Sequence, residues 1–241
     1  METVDIIETI VDALTLTFKV DSVVDNGDDT YTIYTCNTLH LQVGYPVTIN
    51  NVEYEILSIV RGVSITVSGS ALPPTADFTI AAPLYFHGTV IKAQEDMLTI
   101  GDSDNVFNRT PFIYLKEIIS DKKYASGSVS PLDRETTLRM FFLTMSDFAN
   151  WKTAEHYEMS ITPMRNLIEN FIDKLEKSPL IGKFEDYETT NHVNFGVYVD
   201  AKGHTGSVFV DHLSGIELNI TLPFYKQNRT TNCNTDSCYV N

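Results

Sequence analysis

Two histidines and an aspartate, His204, Asp211 and His212, stand at the ends of neighbouring strand-like segments late in the chain. Imidazole and carboxylate together make a transition-metal ligand set, and a metal-dependent hydrolase is the chemistry they would support. Their spacing follows no established ligand pattern, and polar residues at strand ends are the simpler reading. Glu95, Asp102 and Asp104 resemble a carboxylate cluster, but Gly101-Asp102-Ser103-Asp104-Asn105 has ordinary loop composition. The acidic turn Asp25-Asn26-Gly27-Asp28-Asp29 invites a calcium reading, yet it lacks the later ligands and terminal Glu of an EF-hand loop. His156-Tyr157, near the sole tryptophan Trp151, would make either a ligand platform or the aromatic edge of a core just before a helix. Asp133-Arg134-Glu135 reads as a solvated loop.

No phosphate loop, nucleophile elbow, zincin helix or dinucleotide fingerprint accompanies these residues. The sequence therefore assigns no catalytic residue, no cofactor-binding residue and no metal ligand, and the expectation is a protein without enzymatic activity. Cys36, Cys233 and Cys238 make an odd count, which argues against a disulfide framework. The last two, spaced Cys-x4-Cys in a polar tail, read as free thiols, with a small disulfide or half a metal site as the alternatives. Sequons at Asn108, Asn219 and Asn228 carry weight only with a secretory route. Residues 1–18 hold four acids and no base, unlike a signal peptide, and point to a protein made and kept in a cytoplasm.

The elements that would position any site are clearer. A chain of 241 residues with 43% apolar content has room for a sizeable core, and 13 Phe with 12 Tyr lean towards β-structure. Val4, Ile7, Ile10, Val11, Leu14 and Phe18 follow helical spacing and predict a first helix near residues 3–16. Short strands follow at 19–24, 30–36, 46–49, 52–60 and 63–67, joined by the acidic turn, Asn50-Asn51 and Arg61-Gly62. Leu72-Pro73-Pro74-Thr75 breaks the pattern, and a strand at 78–81 would close the set. Residues 19–82 thus read as a small β-barrel or sandwich module inserted into a larger domain, to which the helix in residues 1–18 belongs.

Residues 83–225 read as an α+β core domain. Strands are predicted at 110–117 and 135–144, with the Ser/Gly/Pro-rich loop 124–131 between them, long enough to reach a neighbour. Ser146-Asp147-Phe148 opens a short helix carrying Trp151. The strongest helix signal follows: Thr162 as cap, Pro163 at the first helical position, and Met164, Leu167, Ile168, Phe171, Ile172 and Leu175 at spacings of three and four. Lys174 and Lys177 complement the helix dipole, and Ser178-Pro179 ends the run. Burying those six side chains contributes on the order of 1.5–3 kcal/mol each, so this face must lie on a sheet. Strands at 192–199, 207–210 and 215–222 supply it, and 226–241 is a polar tail without period. The fold class expected is α+β, with a mixed or antiparallel sheet packed by an amphipathic helix.

Formal net charge is -15, and it is uneven: 15 acids against 4 bases up to Thr110, then 17 against 13. Such a chain repels nucleic acid and anionic membrane, so neither sequence-specific nucleic-acid binding nor membrane association is expected. No apolar stretch approaches the roughly 18 residues of a membrane span. The acidity serves solubility, a basic partner surface, or a conduit through which DNA passes without sticking.

Several segments, Thr110-Pro111-Phe112-Ile113-Tyr114-Leu115, Arg139-Met140-Phe141-Phe142-Leu143, Asp147-Phe148-Ala149-Asn150-Trp151, Ile161-Thr162-Pro163-Met164 and Leu213-Ser214-Gly215-Ile216-Glu217-Leu218, together resemble one protein type. It is the ring-forming head–tail connector, or tail-barrel (neck), structural protein of short-tailed, crAss-like bacteriophages. The resemblance covers residues 110–224, about half the chain, in style and order. It implies a tail-terminator-like α+β core and a homo-oligomeric ring of about twelve copies around the DNA channel. It also implies portal and other neck or tail proteins as partners, residence in the virion after assembly in the host cytoplasm, and a part in the DNA ejection conduit. The module at 19–82 is less typical of the type. A carbohydrate-binding or adhesive β-rich module is the alternative, suggested by the barrel-like region and by Tyr31, Tyr34, Tyr45 and Tyr54 within it.

Overall fold

A computed structural model describes residues 2–35, 38, 40–99, 110–125, 129–148, 150–199, 201–209 and 212–226. The fold is α+β with mostly antiparallel sheets and few helices. Helix α1 (Thr3–Asp12) leads into β1 (Leu16–Phe18), then β2 (Ser22–Gly27), β3 (Thr30–Tyr34), β4 (Pro46–Ile49), β5 (Val52–Val60), β6 (Ser64–Ser68) and β7 (Phe78–Ile80). Next come β8 (Leu84–Gly88), α2 (Val90–Thr99), β9 (Phe112–Lys116), β10 (Ser120–Lys123) and β11 (Leu132–Met145). Helices α3 (Thr153–His156) and α4 (Thr162–Lys177) are joined by a π-helical turn, Tyr157–Ile161. Strands β12 (Tyr187–Phe195), β13 (Val197–Val199), β14 (Thr205–Ser207) and β15 (Leu213–Tyr225) close the chain.

The main sheet has the order β12-β15-β11-β9-β8, antiparallel except for the β8–β9 pair, with β10 continuing alongside β11. Its long strands alternate in two senses because both faces are covered. Leu138, Met140 and Phe142 of β11 with Ile216, Leu218 and Ile220 of β15 meet the buried stripe of α4 and Ile6, Ile7, Ile10 and Val11 of α1. The other face packs Phe112, Tyr114, Phe141 and Leu143 against Phe86, Ala93 of α2, Phe195 and Phe209. All six residues of the expected α4 stripe are buried.

Residues 16–80 bury a separate cluster that includes Phe18, Tyr31, Ile33, Val47, Tyr54, Ile56, Ile65 and Val67. The turns were legible: Asn50 and Asn51 hold φ of 52° and 67°, the positive values that a tight two-residue hairpin requires. The sheet order is β2-β3-β6-β5-β4, all antiparallel and open, with both end strands unpaired to each other. The expected closing strand near 78–81 instead pairs with β1, and the Phe18 and Phe78 rings stack at 5.0 Å over the shared core. Phe18 accordingly belongs to this ribbon and not to α1, which ends at Asp12.

Four further expectations need correction. The chain is already helical from Thr153, so Thr162 is not a cap; its backbone is αR. The π turn explains how Pro163 fits inside a continuing helix, because Thr162 N–H reaches back to the Tyr157 carbonyl and proline has no N–H to misplace. Trp151 lies in the turn before α3 and not on a helix, its N–H bonded to the Asp147 carbonyl at 3.0 Å. Asp133-Arg134-Glu135 is strand and not loop: Arg134 is 13% exposed, donates to Thr3 Oγ1 at 3.1 Å and lies 4.9 Å from the Phe224 ring centre. The strand expected at 207–210 is instead the short hairpin β13–β14, which pairs outside the main sheet.

Candidate functional site

Of the residues with metal-binding chemistry, Asp211, Asp102, Asp104, Cys36, Cys233 and Cys238 lie outside the described residues. His204 is exposed just before β14, and His212 is exposed just before β15 with its ring 5.3 Å from Phe148. Among the described residues no group of three or more His, Cys, Asp or Glu is placed to hold a metal ion. Glu95 is on α2, paired with Lys92 at 3.5 Å on an exposed face. The Asp25 turn folds onto itself: Asp25 Oδ1 accepts the Gly27 N–H at 2.8 Å, and Asn26 exchanges bonds with Thr32. His156 is buried, its Nδ1 2.8 Å from Ser146 Oγ, with the Phe148 and Trp151 rings at 4.8 and 5.6 Å. That is a packed, hydrogen-bonded core edge. Tyr31, Tyr45 and Tyr54 are buried and Tyr34 is exposed, so the four tyrosines form no common exposed platform.

The structure brings together a charged cluster that the residue order did not reveal. Glu217 of β15 is 7% exposed at its side chain and sits on the face shared with Phe141. Arg139 of β11 grips it bidentately through Nε and Nη2, the latter at 3.0 Å. His192 Nε2 of β12 donates at 2.8 Å and Asn219 Nδ2 at 3.0 Å. The Arg139 guanidinium also covers the Phe141 ring, which stacks on Tyr114 and touches Phe195. Burial by itself would raise the Glu217 pKa; the bonds from Arg139, Asn219 and His192 outweigh it and hold the carboxyl down to about 2. A satisfied carboxylate of this kind locks three strands in register. The visible signal was one acid inside the apolar run Leu213–Leu218.

Because the Glu217 pKa is depressed on folding, its contribution is complete above about pH 4.5 and is lost as pH falls from there towards 2. The contribution amounts to at most about 3 kcal/mol. Melting temperature should therefore fall more steeply between pH 4.5 and 2 in the native chain than in Glu217→Gln. Parallel curves for the two would remove the network from the stability of the fold.

A second arrangement joins the β2–β6 region to the main sheet. With the N–H of Thr162 diverted and that of Pro163 absent, the carbonyls of Glu158 and Met159 are open to other donors. Arg61 Nη2 donates to Glu158 O at 3.0 Å, and Gln42 Nε2 donates to Met159 O. Gln42 Oε1 accepts from Thr144 Oγ1 at 2.6 Å, beside Tyr45 OH at 3.1 Å from the same hydroxyl. Arg61 Nη1 also ties down the Thr38 and Leu41 carbonyls, both at 2.7 Å. A cleft of about 600 Å³ flanks this seam, lined by Tyr45, Pro46, Thr79, Pro83, Thr110 and Pro111 among others, with no charged side chain in its lining.

A third feature is an arm. β9 and β10 run beside β11 as one interrupted strand: Leu115 opposes Met140 and Ser120 opposes Thr137, five steps against three, so the intervening residues bulge and leave Ile118 73% exposed. β11 and β15 stay paired to their far ends, where Leu132 opposes Tyr225. Lys226 N–H then bonds the Pro131 carbonyl at 3.0 Å, and Tyr124 N–H the Asp133 carbonyl at 2.9 Å. The loop 124–131 and the tail that begins at residue 226 thus leave the fold at one pole, although residues 126–128 and 227–241 lie outside the described ones. Compared with models of protein families, with curated proteins and with solved structures, the chain has no match.

Proposed function

We propose that this chain is a structural virion protein of a bacteriophage, one subunit of a homo-oligomeric ring in the head–tail connector or tail barrel around the DNA channel. The observation that carries the reading is the convergence of loop 124–131 and the tail from residue 226 at one end of the β10–β11–β15 arm. A subunit that closes a ring by rotation needs a segment that lies on the next subunit, and here two such segments share a base. The satisfied Glu217 network gives the sheet beneath them a rigid charged register. The net charge of -15 suits a wall past which DNA slides. In this reading the main sheet with α1 and α4 is a tail-terminator-like core, and residues 19–82 are a module inserted into it. The partners are other copies of the chain, about twelve in a ring, together with the portal and other neck or tail proteins.

Native mass spectrometry with negative-stain imaging of particles tests this directly, and a closed ring is the expected result. Deleting residues 226–241 should shift the melting temperature by less than about 2 °C, because of the described residues it removes only Lys226 and its bond to the Pro131 carbonyl, while abolishing incorporation into particles. Scattered single copies in intact particles, or loss of the fold on truncation, would sink the proposal.

A further inference from the structure

β12 is the outermost strand of the main sheet. It pairs with β15 on one side, and among the described residues no strand pairs with its other edge. Tyr187 to His192 pair with β15 without a break in register, and every one of these six side chains is exposed or half-exposed. Proteins ordinarily blunt such an edge with proline, lysine or an early bulge. Tyr187–Phe195 contains neither residue, and its irregularity comes only after His192. A row of backbone donors and acceptors is therefore open to another strand.

We infer that this edge receives the C-terminal segment, residues 227–241, of a neighbouring copy as an added strand; the inference rests on the ring reading above. Three observations favour that occupant. The segment has 15 residues, which extended reach about 50 Å; covering Tyr187–His192 takes about 20 Å of this and leaves the remainder to span between subunits. Its sequence contains Thr230, Thr231, Cys233, Thr235, Tyr239 and Val240 and neither glycine nor proline, as suits a strand. Its one basic residue, Arg229, stands near its start, whereas the approach to β12 is acidic at Glu185, Asp186 and Glu188. Main-chain pairing of this kind supplies affinity while alternate side chains supply selectivity.

Cross-linking through the native tail cysteines tests the placement in the full-length chain. In a Cys36→Ser background, Thr189→Cys puts a thiol on the open edge, with Cys233 and Cys238 kept as its possible partners. Mild oxidation of the assembled protein should give a ladder at multiples of the chain mass on a non-reducing gel. Reductant, or Cys233→Ser with Cys238→Ser, should abolish the ladder. Thr221→Cys, on the inner strand β15, should give none. Should Thr189→Cys fail to fold, Asn191→Cys presents a thiol from the same strand and the same face. A closed ring by native mass spectrometry without the ladder overturns the docking and leaves the ring standing. A cross-link confined within single chains assigns the tail to its own subunit and overturns the neighbour. Monomers without any cross-link overturn both.

Discussion

Phe171→Ala should destabilise the fold by about 3–5 kcal/mol. Phe171 has no exposed surface, and its ring meets Phe142 edge-to-face at 5.4 Å, at the contact between α4 and the centre of the main sheet. Truncation leaves a cavity that β11 cannot collapse into, because that strand is paired on both sides. For a chain of this size the loss corresponds to a fall in melting temperature on the order of 10 °C. Chemical denaturation should show the change in midpoint at an unaltered slope. A loss below about 1 kcal/mol would mean that α4 does not pack as described.

Gly215→Ala is expected to be worse. A Cβ on Gly215 would stand 1.9 Å from the Phe142 carbonyl oxygen and 3.0 Å from Leu143 Cα, which are backbone atoms of the facing strand. No rotamer relieves such a contact. Either β11 and β15 separate, losing the bonds around Leu143↔Gly215, or the Arg139–Glu217 pairing two residues along is pulled out of line. The expected outcome is a loss of more than about 3 kcal/mol, read as loss of soluble folded protein at 37 °C. Recovery of Gly215→Ala at native yield, melting within about 2 °C of the unaltered chain, would show that the two strands do not approach as closely as described.

The ring reading and these two changes meet in the same strands. β11 and β15 carry the helix-facing core on one side, the Glu217 cluster on the other, and the loop and tail at their far end. A lesion such as Gly215→Ala should therefore disable assembly together with folding, whereas deletion of 226–241 should separate the two.

The sequence by itself determined the elements whose information is local. The stripe from Met164 to Leu175 identified α4 and its buried face, since six apolar residues at helical spacing admit one orientation. Asn50-Asn51 and Arg61-Gly62 placed the β4–β5–β6 turns, because few residue types accept positive φ at low cost. Tertiary structure decided the rest. Arg139 and Glu217 are 78 residues apart and His192 lies on a third strand, so their meeting depends on the register of two long pairings. The long helix starts at Thr153 and runs through Pro163, and Arg61 and Gln42, far along the chain, satisfy the carbonyls that the diverted Thr162 N–H and Pro163 leave open. The strand at 78–80 paired with β1 to share the core of Phe18 and Phe78, where proximity in sequence had suggested the neighbouring sheet. Periodicity reports which face of an element is apolar; which partner covers that face is settled by side-chain volumes and backbone bonds contributed from across the whole chain.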